Sequence, residues 1–469
     1  MDKVISISPS TLSKLIANKE LFLLFDLRSQ EKYNHGHITG ASHAVCDSNT
    51  KETIMPKIPK NIKIILVDDD GTVSKETAEM MRTMQFDSYY LDGGMNNWNG
   101  NIVSGSISDT ISSVDLWKKL NDKDEYDSLL LLDVREPEEY ADFRIAGSIN
   151  IPLQELTKKE NLDNLPHDKQ IITICPHGNR AKIASFMLEN NNIESKTLKG
   201  GLANWNQVLI DRKDGDSDPL IIQVHKIGKG CLSHIVVSEK EAVVIDPLYP
   251  IEKYLEISTS EGFKITKVLN THQHADHISA AKDLAQISGA EWYESGYESW
   301  DFPTKFLKDK DVIKFGNSFL KVIHTPGHTP GSLCYLVNDK YLFTGDILFI
   351  ESVGRPDLRD KIYDFSHDLY HSLHNKIFKL PLNVNIYPTH HGESVSPNKD
   401  GIYKATIEIA RKNKILELSE NDFVNEIVKI STPRPKNYTR IIQINKGVIP
   451  LHQEEIPNLE LGPNRCSIQ

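Results

Sequence analysis

The sequence predicts a multidomain chain of α/β and α+β domains: two small α/β domains in tandem, then a third of different build. Three observations predict this. A block around residue 91 returns around residue 198. Within each copy, strand-sized apolar runs alternate with helical stretches. Beyond residue 219 the repeat stops, and histidines and aspartates gather at the ends of apolar runs. The length of 469 residues fits the resulting count, at roughly 150 residues per domain.

The repeat rests on identities at one fixed spacing. Leu91-Asp92-Gly93-Gly94-Met95-Asn96-Asn97-Trp98-Asn99 returns as Leu198-Lys199-Gly200-Gly201-Leu202-Ala203-Asn204-Trp205-Asn206. The same shift carries Asp26 to Asp133, Arg28 to Arg135, Glu31 to Glu138, Tyr33 to Tyr140 and Gly40 to Gly147. A unit this long, about 100 residues, is no solenoid repeat and has the size of a small domain. The runs 21–25, 64–67, 129–132 and 171–174 read as strands, with 74–84 and 181–190 as helices between them. Polar, Gly-bearing joints at 99–110 and 211–219 set the expected domains at 1–105, 106–215 and 219–469.

Composition narrows the function classes. Hydrophobic residues make up 39% and charged residues 25%, enough for real cores. The net charge of −11 disfavours a nucleic-acid partner. No apolar run approaches the roughly 20 residues of a membrane span. The start, MDKVISISPS, lacks the pattern of a secretory or import leader. Five scattered cysteines suggest a reducing compartment rather than a disulfide framework, so the expected location is cytoplasmic.

The second copy carries chemistry. After the run 171–174 comes Cys175-Pro176-His177-Gly178-Asn179-Arg180, then a helix. A cysteine between a strand end and a helix start meets free main-chain N–H groups and the positive end of the helix dipole. With Arg180, these predict a lowered thiol pKa and a nest for an anionic sulfur adduct. In the first copy the same positions read Asp68-Asp69-Asp70-Gly71-Thr72-Val73. Thiol and arginine are both gone, and a row of carboxylates should repel an anionic sulfur donor.

Both copies resemble rhodanese (sulfurtransferase) domains, over about residues 5–100 and 112–208. The resemblance rests on Asp133-Val134-Arg135, Glu138, Tyr140, Ile145-Ala146-Gly147, the 175–180 loop, and Gly200-Gly201 with Trp205. It implies that Cys175 is the persulfide-carrying nucleophile and that Pro176, His177, Gly178 and Asn179 form its sulfur-binding loop, with Arg180 stabilising the charge. It also implies a structural ion pair between Asp133 and Arg135. The first copy then resembles the inactive rhodanese domains of tandem arrangements, with a role in packing or docking. Four residues separate Cys175 from Arg180, the shorter loop that rhodaneses use for sulfur. Related phosphatases carry one residue more, and phosphate chemistry stays as the alternative.

The third domain carries a metal-ligand pattern. Residues 265–269 read as a strand and 279–288 as a helix, and between them lies Thr271-His272-Gln273-His274-Ala275-Asp276-His277. Imidazole and carboxylate are the ligands that borderline transition metals prefer, and such a cluster at a strand exit can converge on one point. Three later pieces add to it: His328 in Thr325-Pro326-Gly327-His328-Thr329-Pro330-Gly331, Asp346 at the end of Tyr341-Leu342-Phe343-Thr344-Gly345-Asp346, and Tyr387-Pro388-Thr389-His390-His391-Gly392.

This set resembles the metallo-β-lactamase superfamily, from about residue 221 to 392, which implies an αββα sandwich with metals at the sheet edge. A two-metal hydrolase of that superfamily would draw on His272, His274, Asp276, His277, His328, Asp346 and His390. The choice between His390 and His391 rests on the preceding Pro-Thr pair. Fold membership leaves the reaction open, and two readings compete. One is a two-zinc thioester hydrolase resembling glyoxalase II, in which a metal-bound hydroxide attacks the thioester. The other is a persulfide dioxygenase with one Fe(II) per chain. By resemblance its iron is held by His272, His328 and Asp346 alone, a two-His, one-carboxylate triad. His274, Asp276, His277 and His390 would then orient ligands or hold a second metal.

Three features favour the dioxygenase. Gly354-Arg355-Pro356-Asp357 is similar to a segment of that family in which the arginine faces the substrate, so Arg355 is expected to pair with a carboxylate of the carrier thiol. Val353 stands where some of these enzymes carry a cysteine. The tail, 423–438 with Asn445-Lys446-Gly447, looks like their closing segment, although 402–416 also reads as a helix with Lys404, Arg411, Lys412 and Lys414. Fusion to a sulfurtransferase joins two steps that share a sulfur intermediate. A non-catalytic scaffold of rhodanese-like domains is a third option, which the intact 175–180 loop opposes.

The expected enzyme oxidises a low-molecular-weight thiol persulfide such as glutathione persulfide with O₂ to sulfite, coupled to rhodanese transfer among thiosulfate, persulfide and sulfite. The carrier thiol, the direction of sulfur flow and the oligomeric state, a homo-oligomer included, stay open. Cys46, Cys231, Cys334 and Cys466 show no ligand pattern and read as structural or incidental.

Overall fold

Strand runs that are apolar on both faces, joined through helices, should form parallel sheets covered on both sides. Each N-terminal repeat does so. The computed structural model describes residues 5–18, 20, 22–44, 55, 58–104, 110–215, 218–357, 361–392, 394–429, 434 and 437–466. Cys46 and parts of the 99–110, 211–219 and 423–438 segments lie outside the described residues. The chain divides into two compact units, Met1–Trp205 and Asn206–Gln469.

In the first repeat the parallel sheet runs Ser6–Ile7, Asp87–Leu91, Lys63–Val67, Phe22–Asp26, Ser42–His43. The second runs Thr110–Ile111, Ser195–Leu198, Gln170–Ile174, Leu129–Asp133, Ile149–Asn150, also parallel. The duplication read from the sequence is thus a duplication strand for strand. Helices Thr72–Thr83 and Asn179–Asn190 follow the central strands, each entered through a glycine in the left-handed region, Gly71 and Gly178. The two repeats share one core: Leu23, Phe25, Met81 and Phe86 of the first pack in a cluster with Leu132, Val134, Ile183 and Met187 of the second. Burying large apolar side chains contributes roughly 1.5–3 kcal/mol each. The first repeat therefore has a packing role whatever its chemistry.

The C-terminal unit is a sandwich of a seven-stranded and a six-stranded sheet. Its first strand, Leu209–Lys213, pairs antiparallel with Leu220–Lys226, so the unit starts before the joint expected at 211–219. Residues 211–213, read as part of a linker, belong to that strand, because Leu209 and Ile210 supply an edge for the sheet. The inner faces, including Val236, Val243, Leu269, Phe315, Leu320, Tyr335 and Phe343, form one cluster. Helices Glu252–Glu261 and Ala281–Ser288 cover the first sheet, where Tyr254, Ile257 and Leu284 pack on Val224, Val244 and Val268. Helices Ile362–Asn375 and Glu420–Lys429 cover the second through Leu369, Leu373, Phe423 and Ile427.

The helix expected over 402–416 does not form. Ala405–Thr406 pairs with Asn385–Ile386 instead. Thr406 then caps a short helix, Ile407–Ala410, and Asn413 caps a single 3₁₀ turn, Lys414–Glu417. Thr and Asn side chains that bond to nearby N–H groups break a helix into pieces. Among the described residues no helix is long and apolar enough to cross a membrane.

Candidate functional site

The sulfur-transfer loop lies at the end of Gln170–Ile174. Cys175 is buried, and its Sγ accepts hydrogen bonds from the main-chain N–H of Gly178 (3.1 Å) and Ala181 (3.3 Å). The nest exists as expected, but the thiol pKa differs from the expectation. Burial pushes the Cys175 thiol up, outweighing the Ala181 N–H, Arg180 and the other loop amides that pull it down. Arg180 is held bidentate by Glu139 at 2.8 and 2.9 Å, so its charge reaches the thiol already paired. Gly201 shapes the loop: its φ is +61° and a Cβ there would collide with the Cys175 carbonyl. Leu202 and Ala203 donate their N–H groups to the carbonyls of Cys175 and Pro176. Asp133 and Arg135 form the buried ion pair expected of them, at 2.7 Å.

The first repeat fills the same nest with its own side chain. Asp68 accepts from the N–H groups of Gly71 (2.6 Å), Val73 (2.7 Å) and Ser74 (3.2 Å) and from the Ser74 hydroxyl (2.8 Å). Beyond repelling an anionic sulfur donor, the carboxylate occupies its place.

In the C-terminal unit, strand exits bring the ligands together. Lys264–Leu269 leads to the 271–277 loop, Tyr341–Gly345 presents Asp346, and Asn385–Pro388 leads to His390. His272, His328 and Asp346 are each 1% exposed and offer one ligand atom apiece to a common point. His272 Nε2 and His328 Nε2 both lie 3.5 Å from Asp346 Oδ2.

The partners fix which ring nitrogen carries the proton. His328 Nδ1 lies 2.8 Å from the Arg355 carbonyl, a pure acceptor, so Nδ1 is protonated and Nε2 presents its lone pair. The Thr271 hydroxyl gives its one hydrogen to Asp246 Oδ2 (2.9 Å), so it accepts from His272 Nδ1 at 2.9 Å and frees His272 Nε2 likewise. Those two nitrogens and Asp346 Oδ2 are buried without hydrogen-bond partners. Burial lowers the His328 pKa to about 4, while Asp346 lies well below the usual carboxylate range: burial opposes this, and His390 and His272 prevail. A neutral His328 imidazole, an unpartnered His272 Nε2 and an ionised carboxylate are what a cation requires, so the residues fit a metal.

The remaining predicted residues are differently engaged. His390 donates to two carboxylates, Asp346 Oδ1 at 2.7 Å and Asp276 Oδ2 at 2.9 Å, which consumes both ring nitrogens. His277 Nδ1 bonds Asp276 Oδ1 (3.0 Å), and His274 Nε2 bonds Asp246 Oδ1 (3.0 Å). Cys231, Asp276, His277 and His390 nevertheless form a second buried group with ligand atoms within 4.8 Å of one another.

Arg355 is placed otherwise than expected. It is 4% exposed, bound bidentate by Asp357 (2.6 and 2.7 Å), and donates Nη1 to the Arg465 carbonyl at 3.0 Å. It therefore grips the C-terminal segment instead of facing an open carboxylate site. Gly354 before it passes so close to the Asp346 carbonyl that a Cβ would overlap it. Three residues escaped the sequence reading. Asp246 follows the apolar strand Glu241–Ile245, a strand exit like that of Asp346, and that signal was legible. Cys231 and Cys466 had no signal, since only the fold brings residues so far apart to one centre.

Comparison with known proteins matches 228–390 to the metallo-β-lactamase superfamily model, and 8–101 and 113–208 to the rhodanese-like domain model. The chain is similar to Persulfide dioxygenase ETHE1, mitochondrial, of Bos taurus: 31% identical over 255 residues, 50% of this chain and 91% of that protein. It is also similar to the hydroxyacylglutathione hydrolase of Rhizobium etli, 38% identical over 139 residues, 29% of this chain and 52% of that protein. Among solved structures, a metallo-β-lactamase from Staphylococcus aureus is 28% identical over 50% of this chain and 74% of that one, with a TM-score of 0.45. The chain belongs to the metallo-β-lactamase superfamily and carries two rhodanese-like domains. More particularly, its C-terminal domain is homologous to the persulfide dioxygenase ETHE1, and the combination marks an enzyme of sulfur metabolism with a metal cofactor.

Proposed function

We propose that the protein oxidises a thiol persulfide with O₂ at a single Fe(II) held by His272, His328 and Asp346, and that its second rhodanese domain transfers sulfane sulfur through Cys175. One observation carries the first half. The unpartnered buried atoms of those three residues share one point; His274 Nδ1 and His277 Nε2 are unpartnered too, but His390, which a second metal would need, is held by two carboxylates. Two His and one carboxylate leave open positions that suit Fe(II) and O₂. Bound there, iron would supply the redox chemistry and sites for both reactants. The overall change balances as R–SSH + O₂ + H₂O giving R–SH, sulfite and two protons.

The chain's own residues prepare that chemistry. Arg355 and Thr271 set the His328 and His272 tautomers, and Asp246 in turn holds Thr271. His390 keeps one oxygen of Asp346 occupied and so aims the other at the centre. In the rhodanese domain, the Gly178 and Ala181 N–H groups hold the sulfur of Cys175, and a persulfide there would have the same donors. Thiosulfate or sulfite would be the partner of that step.

The test is O₂ uptake on glutathione persulfide in an oxygen electrode. Uptake that His328→Ala abolishes and Cys175→Ser leaves intact is expected; a wild-type protein without uptake overturns the reading. Cys175→Ser should in turn abolish transfer from thiosulfate. The second buried group, with Cys231, Asp276, His277 and His390, favours a two-zinc thioester hydrolase as the competing reading. Turnover of a glutathione thioester would support it.

A further inference from the structure

The turn that ends the 271–277 loop is held by a distant part of the chain, the strap of residues 437–466 that closes the C-terminal unit. Asn445 spends its whole side chain on that turn. Its Nδ2 donates to the carbonyls of His274 and His277, both at 2.9 Å, and its Oδ1 accepts from the Ser279 N–H at 2.9 Å. Glu460 takes the Ile278 N–H between them at 2.8 Å. The helix Tyr438–Lys446 that carries Asn445 is itself seated on the turn, where Ile441 and Ile444 pack in one cluster with Ile278 and Ala280. Its last carbonyl, that of Lys446, accepts from the Asp301 N–H at 2.9 Å. From the turn, two hydrogen-bonded relays lead to candidate metal ligands. His274 Nε2 bonds Asp246, Asp246 holds the N–H and hydroxyl of Thr271, and Thr271 meets His272 Nδ1, with every link between 2.6 and 3.0 Å. His277 Nδ1 bonds Asp276, Asp276 bonds His390 Nε2, and His390 Nδ1 bonds Asp346 Oδ1, with links of 2.7 to 3.0 Å.

We propose that Asn445 is a positioning residue for the metal centre: it fixes the main chain at His274 and His277, where both relays begin, and so aims His272 and Asp346. This inference rests on the reading of His272, His328 and Asp346 as the metal ligands, and it names what holds two of them. Asn suits the task because one amide offers two donors for two carbonyls and one acceptor for an N–H. An aspartate of the same shape would keep the acceptor for Ser279 but set a carboxylate against both carbonyls. Without the amide, the carbonyls of two buried residues lose this donor, and the turn shifts to find others. Loss of a group that orients a ligand typically lowers metal affinity by about 10–100-fold. His328 is set from another side, by the Arg355 carbonyl, so the loss should be partial and lie near the lower figure.

The test titrates the full-length, metal-free protein with Co(II) against a competing chelator and records the visible absorption of the bound ion, which reports the geometry of its ligands. Asn445→Ala and Asn445→Asp should each bind Co(II) about tenfold more weakly than wild type, with displaced absorption bands. Ile313→Ala is the control for general loosening: it cuts the inner core at Val312–Phe315, a strand that carries no candidate ligand. Melting of the metal-free proteins measures the loosening, and the control should keep both the affinity and the spectrum of wild type. Wild-type affinity and spectrum in a folded Asn445 variant overturn the proposal and leave the metal site standing. A control that loses affinity as much as the Asn445 variants also overturns it, since Asn445 would then act only through general stability. Should Asn445→Asp fail to fold, Asn445→Ala decides the comparison. A wild-type protein that binds no Co(II), or one whose binding survives His328→Ala unchanged, overturns the ligand reading and the proposal together.

Discussion

Glu460→Gln is the perturbation that most directly tests how the C-terminal strap is held. The Lys226–Glu460 pair is fully buried on both sides at 2.5 Å. Glutamine keeps the shape and can still accept from the Ile278 N–H, but its amide nitrogen takes the place of Oε2, which accepts from Lys226 and Gln207, so the change removes the charge and that acceptor together. Leaving one partner of a buried pair uncompensated costs about 3–5 kcal/mol. In a unit of this size that corresponds to a melting shift of roughly 6–20 °C. Asp339→Asn is the control, since the Lys321–Asp339 pair is 43% and 55% exposed and such pairs contribute about 0–1 kcal/mol. Peptide-resolved hydrogen exchange should show deprotection of the strand Leu220–Lys226 and of the segment around Glu460 in the first variant only. Burial alone would raise the Glu460 pKa, but Lys226, His277 and Lys229 bring it below its ordinary value. A carboxyl with a depressed folded pKa contributes stability that is present above its unfolded pKa and lost as pH falls through the folded one. Glu460→Gln should therefore flatten the acid limb of the stability profile. If it destabilises no more than Asp339→Asn, the pair does not hold the strap and the reasoning fails.

Three further outcomes are expected. Gly201→Ala should cost about 1–2 kcal/mol for its left-handed backbone and, by pushing on the Cys175 carbonyl, lower sulfur transfer from thiosulfate while O₂ uptake is unchanged; intact transfer would mean the loop tolerates the shift. Asp68→Ala should destabilise the N-terminal unit by about 1–3 kcal/mol, because buried N–H groups lose their acceptor, and should confer no transferase activity; denaturant titration reads it. Burial raises the Glu294 pKa to about 8, with Oε2 unpartnered. A carboxyl raised in the fold is protonated there and ionised in the unfolded chain, so stability should fall as pH rises from about 4.5 to about 8. Glu294→Gln should remove that fall, which melting curves across this range would reveal.

Much of the fold was legible in the sequence, because duplication and strand-sized apolar runs are local signals. The strands at Lys63–Val67, Leu129–Asp133 and Gln170–Ile174 fall within a residue of their expected positions. The candidate metal ligands were legible for the same reason: strand exits such as Gly345-Asp346 and the dense 271–277 loop carry their chemistry in a few adjacent positions. What failed depended on distant partners. The helix expected over 402–416 lost to pairing of Ala405 with Ile386 and to caps at Thr406 and Asn413. The Cys175 loop was found, but the weight of burial on its thiol pKa was invisible, since desolvation depends on what the fold places around the sulfur. Arg355 read as a substrate anchor until Arg465, 110 positions away, took one of its donors. Cys231 and Cys466 carry no local signal, because only the fold brings them beside the other ligand-type residues.

Elemental analysis of the full-length protein, purified without O₂, tests the central claim most directly. The account predicts a single iron per chain, lost in His328→Ala and retained in Cys175→Ser, because His272, His328 and Asp346 bring unpartnered ligand atoms to one point while His390 is held by two carboxylates. Two zinc ions per chain, with turnover of a glutathione thioester and no O₂ uptake, would contradict it.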